Sequence, residues 1–282
     1  MTAVRHFLDA IKFEHTVFAL PFAYVAMVLA ADGWPGWHVL IWVTLAMAGA
    51  RTLAMSVNRL ADRFIDAANP RTAQRHLPTG LLTPAQVTAA ALLSAALLLF
   101  SARMLNPLCL MLSPLAVLFL VGYSYTKRFT WLSHWILGFT DGIGAAGGWI
   151  AVRAAFDAPV YVLWFALTVW IAGFDLIYAC QDVDFDRRHG LRSVPARFGI
   201  AAALTTARVC HLLTIAAFAL LGWMMGLGLL YWAGVLVVAA LLVYEHSLVS
   251  PGDLSRLDIA FFNVNGYIAV ILFLSVIGGR LV

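Results

Sequence analysis

Long runs of apolar residues constrain this sequence more than any other feature. Hydrophobic residues make up 63% of the chain and charged residues 11%, whereas a soluble domain carries about 25% charge. A helix that crosses a bilayer needs about 20 mainly apolar residues. About nine runs meet this condition, so we predict an all-α membrane protein with spans at 16–32, 38–58, 85–103, 107–123, 132–152, 160–180, 203–222, 227–246 and 260–279.

These spans leave little of the 282 residues for any other structure. No stretch has the composition of a linker or a low-complexity tail, and we expect residues 1–282 to form a single polytopic transmembrane domain. The first apolar run is as long as a span, which argues against a cleavable signal peptide. The residues before it, up to Glu14, mix charged and apolar side chains and predict a short amphipathic helix on the membrane surface.

Basic residues are placed asymmetrically about the predicted spans. Of the 18 Lys and Arg residues, only Arg103, Arg153 and Arg280 lie toward the second side of the membrane. Because Lys and Arg accumulate in cytoplasmic loops, we expect the N-terminus and the loops after even-numbered spans to be cytoplasmic and the C-terminus to be outside, in a bacterial-type inner membrane. The residues on the cytoplasmic side are Arg5, Lys12, Arg51, Arg59, Arg63, Arg71, Arg75, Lys127, Arg128, Arg187, Arg188, Arg192, Arg197, Arg208 and Arg256.

Two classes of function have no support in the sequence. The basic residues are interleaved with acids over several loops, so there is no basic face of the kind that binds nucleic acid. The three cysteines are far apart and the eight histidines are scattered, without the spacings typical of zinc or haem sites.

Two acidic turns stand where predicted spans end, and each contains a pair of aspartates four residues apart. Asp62 and Asp66 follow the second span, and Asp182 and Asp186 follow the sixth. Residues at this spacing share one face of a helix. Carboxylates are hard oxygen ligands suited to Mg²⁺, which shares its coordination with substrate phosphates. Four converging carboxylates would repel one another without a cation, so the pattern predicts bound Mg²⁺.

Basic residues follow both acidic turns. Guanidinium groups bind phosphate oxygens in a bidentate way. An acidic site with basic neighbours at the edge of a membrane therefore indicates a diphosphate whose tail lies in lipid. The residues concerned are Arg71 and Arg75 after the first turn and Arg187, Arg188 and Arg192 after the second.

Polar residues one or more turns earlier extend each acidic face. Asn58 precedes Asp62 by one turn, and its amide suits a diphosphate oxygen or a metal. Tyr178 holds the equivalent place before Asp182. Arg51 lies within an apolar span, where an arginine needs an anionic partner. That partner is either an aspartate of the turn or the carboxylate of an acidic substrate.

The fourth span ends with Tyr123 and Lys127 on one helix face. We expect Lys127 to neutralise diphosphate and Tyr123 to line the space where an allylic cation forms. The alternative is an interfacial tyrosine beside a lysine whose long side chain reaches the membrane surface.

Three further acids have more than one interpretation. Asp184 lies on a different face of its helix and is either a ligand or exposed to solvent. Asp141 in span 5 and Asp175 in span 6 each either help to hold the acceptor or pair with Arg51. A protonated acid that is hydrogen-bonded across helices is a further alternative for Asp141. The glycines of span 5 predict close helix packing: Gly142, Gly144, Gly147 and Gly148.

Together these motifs resemble those of the UbiA superfamily of intramembrane prenyltransferases. The run 51–80 contains N-x-x-x-D-x-x-x-D followed by R-T-x-x-R-x-L-P-x-G, with His76 where the family commonly has proline. The run 178–193 is similar to the second signature, D-x-x-x-D with a downstream glycine and Arg192. Tyr123 to Lys127 matches the Y-x-x-x-K element between them. The resemblance covers essentially the whole chain.

The resemblance implies nine transmembrane helices around a central cavity. It also implies Mg²⁺-dependent transfer of a polyprenyl group from its diphosphate to an aromatic ring. By position, Asn58 and the four aspartates of the acidic turns hold Mg²⁺. The diphosphate is then held by Lys127, Arg71 and Arg192. Arg51 and Tyr123 lie near the acceptor and the reacting carbon.

Two finer details, residues 11–16 and 178–182, are similar to a branch of 4-hydroxybenzoate polyprenyltransferases in ubiquinone or menaquinone biosynthesis. Some of that branch act on 1,4-dihydroxy-6-naphthoate in futalosine-route menaquinone synthesis. Both acceptors are hydroxylated aromatic carboxylates, so Arg51 suits either, and we favour the benzoate. A membrane transporter is the alternative from another class. Transporter sites lie near mid-membrane, whereas these acids, with the exception of Asp141, gather at one rim.

Overall fold

A computed structural model describes residues 3–11 and 16–281, with side chains for residues 5–11 and 20–280. Lys12, Glu14 and most of the segment 11–16 used in the family comparison lie outside the described residues. The amphipathic helix expected near the N-terminus corresponds to a helix at Ala3–Ala10.

All regular structure in the described part of the chain is helical, which confirms the predicted fold class. Twelve α-helices follow one another, with a 3₁₀ turn at Cys180–Asp182 and a π-helical segment at Ile259–Val264. The α-helices are α1 (Ala3–Ala10), α2 (Thr16–Ala31), α3 (Trp37–Ala68), α4 (Pro84–Leu105), α5 (Pro107–Thr126), α6 (Ser133–Arg153), α7 (Ala158–Ala179), α8 (Val183–Arg188), α9 (Val194–Phe198), α10 (Ile200–Met224), α11 (Leu229–Ser247) and α12 (Asn265–Leu281).

Eight of the described helical segments are long and apolar enough to cross a membrane. They correspond to the second through ninth predicted spans, and the chain is an integral membrane protein. The predicted first span falls on α2, which has 16 residues, fewer than the about 20 that a crossing helix needs.

The helices group into two compact units. The first unit contains Met1–Leu20 and Trp37–Tyr125. Here α3 and α4 pack along each other, and a small apolar core forms around Leu53, Ala91 and Leu120, one residue from each of α3, α4 and α5.

The second unit contains Pro21–Gly36 and Thr126–Val282. Helix α7 packs against both α6 and α10, and Val160, Leu163 and Ala166 on α7 are fully buried. At Gly138 the backbone of α6 comes so close to α7 that an added Cβ would lie 2.2 Å from the carbonyl oxygen of Thr168.

Helix α3 carries the first acidic turn because it continues past its apolar part. The helix has 32 residues and ends ten residues after residue 58, where the predicted span ends. The helix ends at Ala68, ahead of Pro70, and proline disfavours helical backbone in the residue before it. The Asn69 carboxamide oxygen accepts the N–H of Arg71 at 3.0 Å and so starts the turn that follows.

Candidate functional site

The first acidic turn lies within α3, which confirms that Asp62 and Asp66 share one helix. Both side chains are buried, with relative exposures of 2% and 4%. The Asn58 amide lies one turn earlier and donates to Asp62 Oδ2 at 3.4 Å. Asn58 therefore joins the acidic face as the spacing predicted.

Asp66 has two oxygens with different surroundings. Its Oδ1 accepts a hydrogen bond from Arg75 Nη1 at 2.7 Å. Its Oδ2 is buried and has no hydrogen-bond partner among the described residues. A buried carboxylate oxygen without a partner is costly, and a hard cation is the kind of ligand that would satisfy it. The donor set of the first turn therefore fits Mg²⁺.

The loop after α3 returns a basic residue to the acidic turn. Thr72 Oγ1 donates to the backbone carbonyl of Asp66 at 3.0 Å, and the loop then places Arg75 on Asp66. Arg71, which the family resemblance assigns to diphosphate, is exposed in the same loop. The neighbouring Arg59 reaches the backbone carbonyl of Ala10 at 3.0 Å and so ties α1 to α3.

Arg51 and Tyr123 also lie in the first unit. The Nε of Arg51 is buried without a hydrogen-bond partner in the described residues. This is consistent with an arginine that binds an anionic ligand. Tyr123 on α5 donates its hydroxyl to the carbonyl of Ala54 on α3 at 3.4 Å. The structure thus holds Tyr123 against the helix that carries Arg51 and the aspartates.

The second acidic turn differs from the prediction, because it is not part of one regular helix. Helix α7 ends at Ala179, the 3₁₀ turn covers Cys180–Asp182, and α8 begins at Val183. A 3₁₀ turn has about three residues per turn. Two aspartates four residues apart therefore do not share one face here as they would in a regular α-helix. Asp182 and Asp186 are nevertheless close enough for their charges to interact, and both are half-buried, whereas Asp184 is exposed.

Asp186 is held by the segment that follows it. Ser193 Oγ donates to Asp186 Oδ2 at 2.8 Å. The same hydroxyl accepts the backbone N–H of Ala196 at 3.3 Å and caps α9. A serine with proline two residues later is a recognisable signal for a helix start, although the sequence analysis did not single out Ser193.

Lys127 and Arg192, both predicted to bind diphosphate, are brought together in the second unit. The backbone N–H of Arg192 donates to the carbonyl of Lys127 at 2.7 Å. The Arg192 guanidinium donates to the carbonyl of Phe129 at 2.8 Å. The charge of Lys127 also acts on Asp186. Lys127 therefore lies near the second aspartate pair, and the backbone of Arg192 is held against that of Lys127.

The remaining acids and Tyr178 have defined positions. Asp175 Oδ2 is 2.6 Å from Nδ1 of His134, a residue that the sequence analysis did not single out. Asp141 is exposed on α6. Tyr178 stacks on Phe261 with ring centroids 4.1 Å apart. The described residues contain no group of three or more His, Cys, Asp or Glu side chains able to hold a metal ion.

Comparisons with known proteins agree with these features. The model of the UbiA prenyltransferase family matches residues 19–272. Over 253 residues the chain is 30% identical to a 4-hydroxybenzoate octaprenyltransferase of Aliivibrio fischeri (strain MJ11), covering 89% of this chain and 87% of that protein.

Solved structures show the same fold. The apo structure of a UbiA homolog from Aeropyrum pernix K1 superposes with a TM-score of 0.86 at 33% identity, covering 94% of this chain and 98% of that one. A UbiA homolog from Archaeoglobus fulgidus bound to GPP and Mg²⁺ has a TM-score of 0.69 at 17% identity, covering 97% and 99% of the two chains.

Proposed function

This chain belongs to the UbiA prenyltransferase family and is a polyprenyl transferase, and from that premise we propose the reaction that it catalyses. With Mg²⁺, it transfers a polyprenyl group from a polyprenyl diphosphate to a hydroxylated aromatic carboxylate, 4-hydroxybenzoate. The product is an intermediate of ubiquinone or menaquinone biosynthesis. The benzoate is preferred because the similar protein of Aliivibrio fischeri carries that acceptor in its name.

The observation that carries the proposal is the environment of Asp66. This buried carboxylate has one oxygen on Arg75 and a second oxygen without a partner in the described residues. We propose that Asp62, Asp66, Asp182 and Asp186, with Asn58, hold Mg²⁺. The related Archaeoglobus fulgidus protein binds GPP and Mg²⁺, which supports this choice of ion and donor.

The basic residues of the chain then have a role in leaving-group departure. Mg²⁺, when bound, supplies positive charge to the diphosphate as its C–O bond breaks. Lys127, Arg192 and Arg71 hold the diphosphate oxygens and stabilise the charge that develops on them. Tyr123 and Tyr178 present aromatic rings, which stabilise a nearby cation such as the allylic group.

The acceptor is held by its carboxylate. The buried Arg51 Nε suits a bidentate partner of this type. A carbon of the hydroxylated ring attacks the allylic carbon, a C–C bond forms, and the ring then loses the proton at that carbon. Apolar surroundings exclude the water that would otherwise capture the cation.

We extend the proposal to the whole molecule. Residues 1–282 act as one prenyltransferase domain, and the polyprenyl tail of the donor lies in membrane lipid. The N-terminus and both acidic turns face the cytoplasm, where the donor and acceptor are available, and the C-terminus lies outside a bacterial-type inner membrane.

The direct test is transfer by the purified protein in detergent with Mg²⁺ and a long-chain polyprenyl diphosphate. 4-Hydroxybenzoate and 1,4-dihydroxy-6-naphthoate are offered separately, and products are identified by mass spectrometry. We expect prenylated benzoate, and no product in excess EDTA. Product from the naphthoate alone would replace the proposed acceptor, and full activity in EDTA would contradict a metal-held diphosphate. Substrate uptake into vesicles without any transfer would favour a transporter.

A further inference from the structure

A buried histidine of the second unit connects three helices beside the second acidic turn. His134 lies in the first turn of α6 and is 3% exposed. Its Nδ1 is 2.6 Å from Asp175 Oδ2 on α7. Its Nε2 is 3.3 Å from the backbone nitrogen of Val194, the first residue of α9.

These two contacts indicate which tautomer the imidazole adopts. A backbone N–H can only donate, so Nε2 must accept and carries no proton. The proton of a neutral imidazole is then on Nδ1, where it donates to the Asp175 carboxylate. Asp175 thereby fixes the tautomer in which His134 can accept the Val194 N–H, in the way that a carboxylate orients a histidine in other sites.

The connection continues to Asp186. Val194 follows Ser193, whose hydroxyl donates to Asp186 Oδ2 at 2.8 Å. Helices α8 and α9 are short, with six and five residues, and such helices have little stability of their own. Helices α6 and α7, by contrast, pack closely at Gly138.

We propose that His134 and Asp175 are positioning residues that tie Ser193, and through it the Asp186 carboxylate, to the rigid pair α6 and α7. This inference rests on the proposed function, because it takes Asp186 to be a ligand of Mg²⁺ and its diphosphate. His134 and Asp175 act on the metal site only through Asp186. Their loss weakens metal and diphosphate binding and leaves acceptor binding unchanged.

The test uses variants that separate the two contacts of His134. In His134→Asn the amide takes the place of Nδ1 and keeps the Asp175 contact, but nothing accepts the Val194 N–H. In His134→Gln the amide reaches the place of Nε2, so its oxygen can accept that N–H. The matched control is Thr140→Val, which removes another buried polar group of α6, a hydroxyl that donates to the Ile136 carbonyl of its own helix.

Three quantities are measured on the full-length protein in detergent. Hydrogen exchange reports the protection of the Val194 amide. Electron paramagnetic resonance reports Mn²⁺ binding with polyprenyl diphosphate and needs no turnover. Steady-state transfer gives the Mg²⁺ concentration for half-maximal rate and KM for 4-hydroxybenzoate. We expect His134→Asn to speed exchange at Val194, to weaken metal binding by about 10-fold or more and to leave the acceptor KM unchanged. His134→Gln recovers part of the loss, and Thr140→Val matches the wild type.

The outcomes separate the inference from the function on which it rests. Wild-type protein that binds Mn²⁺ and diphosphate but transfers nothing would contradict the proposed reaction, while the metal-binding loss in His134→Asn would still support positioning. Equal metal binding in His134→Asn and Thr140→Val, or His134→Gln no better than His134→Asn, would overturn the positioning role. Wild-type protein without any metal binding would overturn both.

Discussion

At the scale of single residues, the two carboxylate oxygens of Asp66 have different surroundings. Its Oδ1 is paired with Arg75 while its buried Oδ2 has no partner among the described residues, and an unsatisfied buried oxygen lowers stability. In Asp66→Asn the remaining oxygen still accepts from Arg75, but the amide nitrogen cannot bind a cation. We expect transfer to fall by more than about 100-fold, beyond the usual loss for a residue that only orients a ligand, without a fall in the melting temperature.

The comparison for Asp66→Asn is Asp184→Asn. Asp184 belongs to the second acidic turn but is exposed, so we expect its neutral variant to keep most of the transfer rate. Both are measured by product formation and by thermal unfolding in detergent. An inactive Asp184→Asn would make Asp184 a ligand, and a normally active Asp66→Asn would remove the first turn from the metal site.

Arg51 gives a second prediction at this scale. Its buried Nε is without a partner in the described residues, and a carboxylate is the anion expected there. We expect Arg51→Ala to raise KM for 4-hydroxybenzoate far more than KM for the polyprenyl diphosphate. Arg51→Lys keeps the charge but loses the planar fork, so its acceptor KM should be intermediate. Equal rises for both substrates would assign Arg51 a structural role.

Residue spacing in the sequence identified Asn58, Asp62 and Asp66 as one face, because all three lie on an uninterrupted helix. It gave no reason to place Arg75 on Asp66, since that contact depends on how the 69–80 loop folds back through Thr72. His134 carried no signal at all, because its two partners come from α7 and α9, which are distant in sequence.

At the scale of helices, apolar run length predicted the spans well, but two features depended on tertiary structure. The 3₁₀ turn before α8 interrupts what the spacing of Asp182 and Asp186 suggested was one helix. Among the glycines predicted to allow close packing, Gly142 and Gly148 do meet atoms of other helices, whereas nothing lies within 4 Å of a Cβ at Gly147. The closest approach, at Gly138, was not predicted.

Those glycines provide a test of the packing between α6 and α7. In Gly138→Ala the new Cβ would meet the Thr168 carbonyl at 2.2 Å, and backbone cannot yield as a side chain can. We expect a loss of about 1–3 kcal/mol, the usual cost of overpacking, seen as a lower melting temperature. Gly147→Ala on the same helix meets open space and should be neutral or slightly stabilising. Equal melting temperatures for the two variants would contradict the close approach.

At the scale of the whole molecule, the number of membrane crossings is still a prediction, and it depends on whether α2 crosses. Eight described helical segments have crossing length, while α2 has 16 residues. Nine crossings place the termini on opposite sides, and eight place them on the same side. The loops after α3 lie on the same sides in both cases, so their basic residues do not separate the two. The basic residues ahead of α2, Arg5 among them, favour nine because nine crossings make them cytoplasmic.

The side of the N-terminus resolves this parity, because α2 precedes all the other crossing helices. Alkaline phosphatase is active only outside the inner membrane, and green fluorescent protein exported in unfolded form stays dark. We therefore expect phosphatase activity and no fluorescence for fusions after Val282, and the reverse for fusions after Arg128, whether or not α2 crosses. With the three native cysteines replaced, Arg5→Cys should react with a membrane-impermeant maleimide only in permeabilised spheroplasts if nine helices cross, as the control Arg128→Cys should. Reaction of Arg5→Cys in intact spheroplasts would mean that α2 does not cross, which would place the N-terminus and the acidic turns on opposite sides of the membrane and contradict the proposed orientation.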